Sequence, residues 1–154
     1  MSNRVLYVGI DVHEKESQLA VLEKEGALLM EERMPTKELG KFLSSLPGEK
    51  HVAVESVGFI HPIYAKLSSI EDCTVSVANP SRLRLISGSG TKNDRNDAKV
   101  LGDLLRTNYL PLAHMRDEET REKLFVVNDR VTYGLRRGEL RGTMRWLLKR
   151  RGIE

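Results

Sequence analysis

The order of short apolar segments and helical segments is the feature that most constrains the fold. Three strand-like segments, residues 5–12, 17–22 and 27–34, follow one another with short polar turns between them. This pattern predicts an antiparallel meander. Beyond residue 35 the pattern alternates between helix and strand, which is typical of β-α-β units with parallel strands. The sequence therefore predicts an α/β domain with a mixed five-stranded sheet and flanking helices.

The spacing of apolar residues places the later elements. Strands are predicted at residues 51–55 and 73–77. Helices are predicted at residues 36–46, 58–70, 81–86, 94–106 and 118–151, with Thr36 as the N-cap of the first. The last helix is basic and carries Gly134, Gly138 and Gly142 on one stripe. That stripe either admits a closely approaching partner helix or marks a frayed segment.

Four acidic residues fall where a sheet of this kind collects ligands. Asp11 and Glu55 each end a predicted strand, and Asp94 and Asp97 lie in the first turn of the helix at 94–106. Ligand sites of open α/β sheets lie at the carboxyl ends of the strands, so we expect the four acids to converge at one edge. Each acid also has a local interpretation, because carboxylates cap turns and favour the first turn of a helix.

Converging carboxylates repel one another unless cations lie between them. Ligation by oxygen alone selects hard metals, here Mg²⁺ or Mn²⁺, and a pair of such ions supports phosphoryl transfer. Asp11 is the expected bridging ligand because its strand is central in the predicted sheet. Glu55 would lie on one side of the ions, and Asp94 and Asp97 on the other. The four acids therefore form a candidate metal site for phosphoryl transfer.

Basic charge is concentrated at the carboxyl-terminal end of the chain. The net charge is +3, yet residues 130–154 carry eight Lys or Arg against two Glu, whereas residues 1–129 carry more acids than bases. This distribution suits a polyanion, although a solvated helix face is the alternative. Phosphate contacts would give salt-sensitive, sequence-independent binding. The candidate nucleic-acid contacts are Arg82, Arg84, Lys92, Arg95, Arg136, Arg137, Arg141 and Arg145.

Four segments resemble the DEDD-type insertion-sequence transposases, a group that includes the Piv-like invertases and the bridge-RNA-guided recombinases. They are Gly9-Ile-Asp-Val-His13, Val54-Glu-Ser-Val-Gly58, Asn79-Pro80 and Lys92-Asn-Asp-Arg-Asn-Asp-Ala98. The resemblance covers residues 4–110 and implies an RNase H-like (RuvC-like) catalytic domain at 1–110. Residues 111–154 would then be a basic helical segment that begins a coiled-coil-like linker.

The same resemblance implies a function. Asp11, Glu55, Asp94 and Asp97 would coordinate Mg²⁺ (or Mn²⁺) for cleavage and exchange of DNA strands. DNA would be the partner, a guide RNA would select the target, and the carboxyl-terminal helix would join copies into a homo-oligomer. Members of the family continue into a second domain with a nucleophilic serine. No serine follows Ser89 here, so we expect a truncated transposase that lacks the serine-dependent step.

Two other functions remain open at this point, a stand-alone RuvC-like nuclease and a catalytically idle module for nucleic-acid binding or assembly. An actin-like ATP-binding fold would need glycine-rich loops that the later sequence lacks. The chain shows no signal peptide and no apolar run of the ~20 residues that a membrane span needs, so we expect a cytoplasmic protein. The single cysteine, Cys73, is expected to be a buried thiol.

Overall fold

The computed structural model of the chain describes residues 4–87 and 94–153, and it describes the side chains of 4–86 and 97–153. The chain divides into two compact units, residues 1–114 and 115–154. The described strands of the first unit are β1 (Val5–Asp11), β2 (Glu16–Glu23), β3 (Leu28–Pro35), β4 (Glu49–Glu55) and β5 (Cys73–Ala78). Its described helices are α1 (Leu39–Ser45), α2 (Ile60–Ser68), α3 (Pro80–Ser87) and α4 (Asp94–Arg106), and a 3₁₀ turn at Thr36–Glu38 precedes α1.

The strands form one mixed sheet in the order β3-β2-β1-β4-β5. Strand β2 pairs antiparallel with β1 and with β3, which confirms the predicted meander. Strands β1, β4 and β5 pair in parallel, as the β-α-β alternation predicted. Strand β1 is therefore central, with β2 on one side and β4 on the other. This mixed sheet with helices on its faces is the expected RNase H-like arrangement.

Helix α4 packs against β1 so closely that the strand tolerates no side chain at Gly9. A Cβ atom there would overlap the carbonyl oxygen of Ala98 and lie 2.5 Å from the backbone nitrogen of Gly102. Small residues on both elements thus let the two backbones touch. Leu101, which also lies on α4, belongs to a buried apolar cluster with Ala53 of β4. The close contact therefore fixes the position of α4 along the central strands.

The opposite face of the central strands is apolar and buried. Val8 and Ile10 of β1 alternate with Gly9, so they point away from α4, and both are fully buried. Helices α1 and α2 contribute buried leucines that include Leu43 and Leu67. Burial of such side chains stabilises a domain by about 1.5–3 kcal/mol each. The two-sided burial of β1 explains why its sequence is nearly continuous in apolar residues.

The second unit contains one long helix, α5 (Glu118–Arg150). Asp117 caps its start, because its carboxylate accepts a hydrogen bond of 2.8 Å from the Thr120 backbone nitrogen. Acidic residues in its first turn and basic residues in its last turn complement the helix dipole. No residue of α5 is buried. Among the described helices, none is both long and apolar enough to cross a membrane.

Two local expectations differ from the structure. Thr36 does not cap a helix with its side chain; Pro35 is at the cap of the 3₁₀ turn, and the Thr36 hydroxyl donates instead to the carbonyl oxygen of His13, at 2.7 Å. Cys73 is only partly buried. Its burial still raises the pKa of the thiol, an effect that the nearby Lys50 charge partly opposes. The first difference comes from a contact between distant segments, whereas Cys73 begins β5, a strand at the edge of the sheet.

Candidate active site

Asp11 and Glu55 end the two central strands side by side. The last pair of the parallel ladder joins Ile10 to Val54, so Asp11 and Glu55 are the next residues in the same register. Strand alternation places Asp11 on the face of Gly9, and Glu55 on the face of Ala53. This is the face that α4 covers, because Gly9 contacts α4. The sheet thus brings two of the four predicted acids together at its carboxyl edge.

Helix α4 directs its first turn toward the same edge. At the carboxyl end of the helix, Arg106 donates a hydrogen bond of 3.3 Å to the carbonyl oxygen of Lys24, in the turn between β2 and β3. That turn lies beside the start of β1, because Glu23 pairs with Leu6. The helix therefore runs antiparallel to β1, and its amino-terminal turn lies toward the strand's carboxyl end. Asp97 is in that turn and is partly buried, directly before the Ala98 that contacts Gly9.

The described side chains do not by themselves form a metal cluster. Among them, no group of three or more His, Cys, Asp or Glu side chains is arranged to hold a metal ion. The side chain of Asp94 lies outside the described residues, although its backbone begins α4. Asp11 and Glu55 each make interactions with other groups in the protein. The backbone thus brings the elements that carry all four acids toward one edge, while the side-chain geometry of the complete set is not described.

The chemistry of the donor set at this edge suits a divalent cation, although the described side chains of Asp11, Glu55 and Asp97 are not arranged as a metal cluster in this structure. Its identified acids, Asp11, Glu55 and Asp97, offer only carboxylate oxygens, which hard cations such as Mg²⁺ prefer over softer metals. Gly9 is two residues before Asp11 on the same face of β1, and its lack of a side chain lets the α4 backbone approach the strand there. Carboxylates that lie close together disfavour joint ionisation without a counter-charge. The residue types present are therefore those that a divalent ion prefers as ligands.

Two polar residues near Asp11 were not singled out as functional by the sequence pattern. Gln18 is the antiparallel register partner of Asp11 and is 7% exposed, although it lies in an apolar strand. Its one sequence signal is a polar amide within an otherwise apolar run. His13 lies two residues after β1 ends, and its Nε2 is 3.0 Å from Oδ2 of Asp11. The sequence places His13 on the strand face of Asp11, where it could contact a phosphate or a metal-bound water, and favours a solvated strand-end histidine.

The predicted nucleic-acid contacts fall into three groups. Arg82 and Arg84 are exposed on α3, which follows β5. Lys92 lies outside the described residues, as does the side chain of Arg95. The remaining four predicted contacts are exposed on α5; they are Arg136, Arg137, Arg141 and Arg145. Exposure leaves these described side chains accessible to a large anionic partner, but it does not by itself identify one.

An RNase H-like sheet with acids at the ends of its two central strands defines a class of nucleic-acid-processing domains. A family model described as a transposase, of the IS110 DEDD type, matches residues 8–132. Because this match covers more than half of the chain, the protein belongs to the DEDD transposase family of IS110 type. No curated protein matches the sequence at a significant level. The family confirms the predicted resemblance and identifies a DNA-processing enzyme of transposition, a class that binds DNA and generally uses divalent metal ions.

Proposed function

We propose that this chain provides the Mg²⁺-dependent step of DNA strand cleavage and exchange in transposition, with Mn²⁺ as a functional substitute. The observation that carries the proposal is the adjacent placement of Asp11 and Glu55 at the carboxyl edge of the sheet. The antiparallel direction of α4 adds support, because it brings the turn of Asp94 and Asp97 toward that edge. Catalysis is assigned to residues 1–110, and nucleic-acid binding and assembly to residues 111–154.

The four acids divide the work of holding the ions and the DNA. Asp11, on the central strand between β2 and β4, would be the ligand shared by the divalent ions. Glu55 would hold one side, and Asp94 and Asp97 the other. Bound divalent ions supply Lewis-acid stabilisation of the charge that develops on the phosphate. The carboxylates would hold these ions in fixed positions, because the parallel strands and α4 form a rigid support.

Exposed basic residues supply the affinity for nucleic acid in this proposal. Arg82 and Arg84, with Lys92 and Arg95, are assigned to the phosphates near the cleavage site. The arginines of α5 are assigned to other phosphates of the nucleic acid. Such contacts carry no sequence information, so a guide RNA is the proposed source of target choice. Exposed apolar residues of α5, among them Val131 and Leu135, support the further proposal that copies of the chain associate through this helix.

The test is cleavage of supercoiled DNA by three variants in the presence of Mg²⁺. Asp11→Asn and Asp97→Asn should each lower the cleavage rate by at least about 100-fold, because each removes a charged ligand of the ions. Asp103→Asn is the matched control. Asp103 lies on α4 as well, but its carboxylate pairs with Arg106 at 3.0 Å, at the helix end far from the site.

The control should cleave DNA at nearly the rate of the unmodified chain. Cleavage that survives in both Asp11→Asn and Asp97→Asn would refute the metal site. A strand-transfer assay on the same DNA then distinguishes the chemistry. Products joined to a new strand would support recombination, whereas products with hydrolysed ends alone would identify a nuclease of the RuvC-like type.

A further inference from the structure

The turn that follows Asp11 is tied to the start of α1 by contacts that no part of the proposed function uses. Thr36 lies at the beginning of the 3₁₀ turn before α1, more than 20 residues after the turn between β1 and β2. Its hydroxyl donates to the carbonyl oxygen of His13, at 2.7 Å. Its backbone nitrogen donates to the carbonyl oxygen of Lys15, at 2.9 Å. Two hydrogen bonds from one residue thus restrain the β1–β2 turn.

A buried serine holds Thr36 in this position. The hydroxyl of Ser17 is 2.8 Å from the hydroxyl of Thr36, and Ser17 is fully buried. A buried hydroxyl that loses its hydrogen-bond partner destabilises the fold, so the pair is strongly favoured once it has formed. Ser17 lies on β2 and is therefore part of the rigid sheet. The restraint on the turn is consequently anchored in the core and not in solvent.

The restrained turn carries the imidazole that contacts Asp11. Nε2 of His13 is 3.0 Å from Oδ2 of Asp11, and an ionised carboxylate can only accept, so Nε2 donates. The His13 side chain is 57% exposed, whereas that of Asp11 is 14% exposed. An exposed contact of this kind is weak when the side chain is free to move. Fixing the backbone of His13 removes part of that freedom and makes the contact more persistent.

We propose that His13 is a positioning residue that orients the Asp11 carboxylate toward the metal site, and that the Ser17–Thr36 pair holds His13 in place. Carboxylate ligands of metals are commonly oriented by hydrogen bonds from an outer shell of residues, and loss of such a partner lowers metal affinity about 10–100-fold. The inference rests on the proposed function, because it assigns Asp11 to the metal site. It adds that the β1–β2 turn helps to position a ligand of that site.

The experiment measures Mn²⁺ affinity of the full 154-residue chain by electron paramagnetic resonance. His13→Leu should weaken Mn²⁺ binding by about tenfold, because it removes the donor. His13→Gln should stay within about threefold of the unmodified chain, because its amide can donate from a similar distance. Thr36→Val should weaken Mn²⁺ binding by about threefold. Thr36→Ser should bind Mn²⁺ as the unmodified chain does, since serine keeps the hydroxyl.

Thr143→Val is the matched control, because the Thr143 hydroxyl also bonds to a backbone carbonyl, that of Glu139, but within α5. Its Mn²⁺ affinity should not change. Equal affinity in His13→Leu and the unmodified chain would overturn the inference while leaving the proposed function intact. Absence of Mn²⁺ binding by the unmodified chain would instead refute the proposed metal site itself. Loss in His13→Leu that His13→Gln does not rescue would overturn the positioning role and make His13 a direct ligand. Circular dichroism of each variant checks that the fold is retained.

Discussion

Glycine has opposite roles in the two units of the chain. In the first unit, Gly9 and Gly102 let β1 and α4 approach until their backbones touch. In the second unit, Gly134, Gly138 and Gly142 lie on α5, where an added Cβ would meet no atom within 4 Å among the described residues. The first unit is specified by close packing around the site. The second is stabilised by its cap and its charges. Replacing glycine by alanine should therefore destabilise the first unit and stabilise the helix of the second.

The largest effect is expected for Gly9→Ala. The added methyl group would overlap the Ala98 carbonyl oxygen, so α4 would have to move away from β1. Overpacking of a core costs about 1–3 kcal/mol and more where backbone must shift, so we expect a loss of at least about 3 kcal/mol in the free energy of unfolding. Urea denaturation followed by circular dichroism measures this loss. Because the shift also moves the turn of Asp97, DNA cleavage should fall as well.

Gly58→Ala is the control for this prediction. Gly58 lies in the same unit, in the segment between β4 and α2, but a Cβ there would meet nothing within 4 Å. Its urea midpoint should therefore change little. If the two variants had the same midpoint, the contact between β1 and α4 would not determine the stability of the first unit. The stability of the first unit would then depend on other contacts of the sheet.

This contrast also shows what the sequence could predict. The short apolar runs placed all five strands, and the hydrophobic spacing of 94–106 gave the bounds of α4 as the structure has them, Asp94–Arg106. The topology rule then placed Asp11 and Glu55 at one edge, because strand ends of parallel neighbours coincide. These features follow from local pattern and chain order, which a single sequence contains.

Contacts between distant segments could not be predicted in the same way. The Thr36 hydroxyl suggested a helix cap, since threonine before a helix commonly serves as one. Its actual partner is a carbonyl group 23 residues earlier, at His13. Likewise, the need for glycine at position 9 depends on the carbonyl of Ala98, 89 residues later in the chain. A local sequence pattern does not indicate a contact between residues this far apart, so both contacts could be identified only in the folded structure.

The second prediction concerns DNA binding by the exposed arginines of α5. The double variant Arg136→Gln/Arg141→Gln should weaken DNA binding. It should also make the slope of log affinity against log salt concentration shallower by up to about 2, because each phosphate contact contributes about 0.9 to that slope. Glutamine preserves helix propensity, so α5 should remain folded. Fluorescence anisotropy with duplex DNA at several salt concentrations measures both quantities.

Arg4→Gln/Arg33→Gln removes the same charge from the first unit and is the control. These two arginines already pair with acids, Arg4 with Glu23 at 2.8 Å and Arg33 with Glu16 at 2.9 Å. Their loss should change the salt dependence less than the loss of the α5 pair. Identical slopes for the two double variants would mean that α5 contributes only to the net charge and makes no phosphate contacts of its own.

The smallest effect is expected for Gly138→Ala, the counterpart of Gly9→Ala. Alanine is favoured over glycine inside a helix by about 1 kcal/mol, and the added methyl group meets no neighbour. The variant should therefore raise the helicity of α5 and slow its amide hydrogen exchange.

If copies of the chain associate through a close approach at Gly138, however, the methyl group would separate the two helices. Sedimentation at several concentrations detects this, since Gly138→Ala would then weaken association even while it stabilises the single helix. A gain in helicity without loss of association would place the contact between copies on the apolar residues of α5 and away from its glycines.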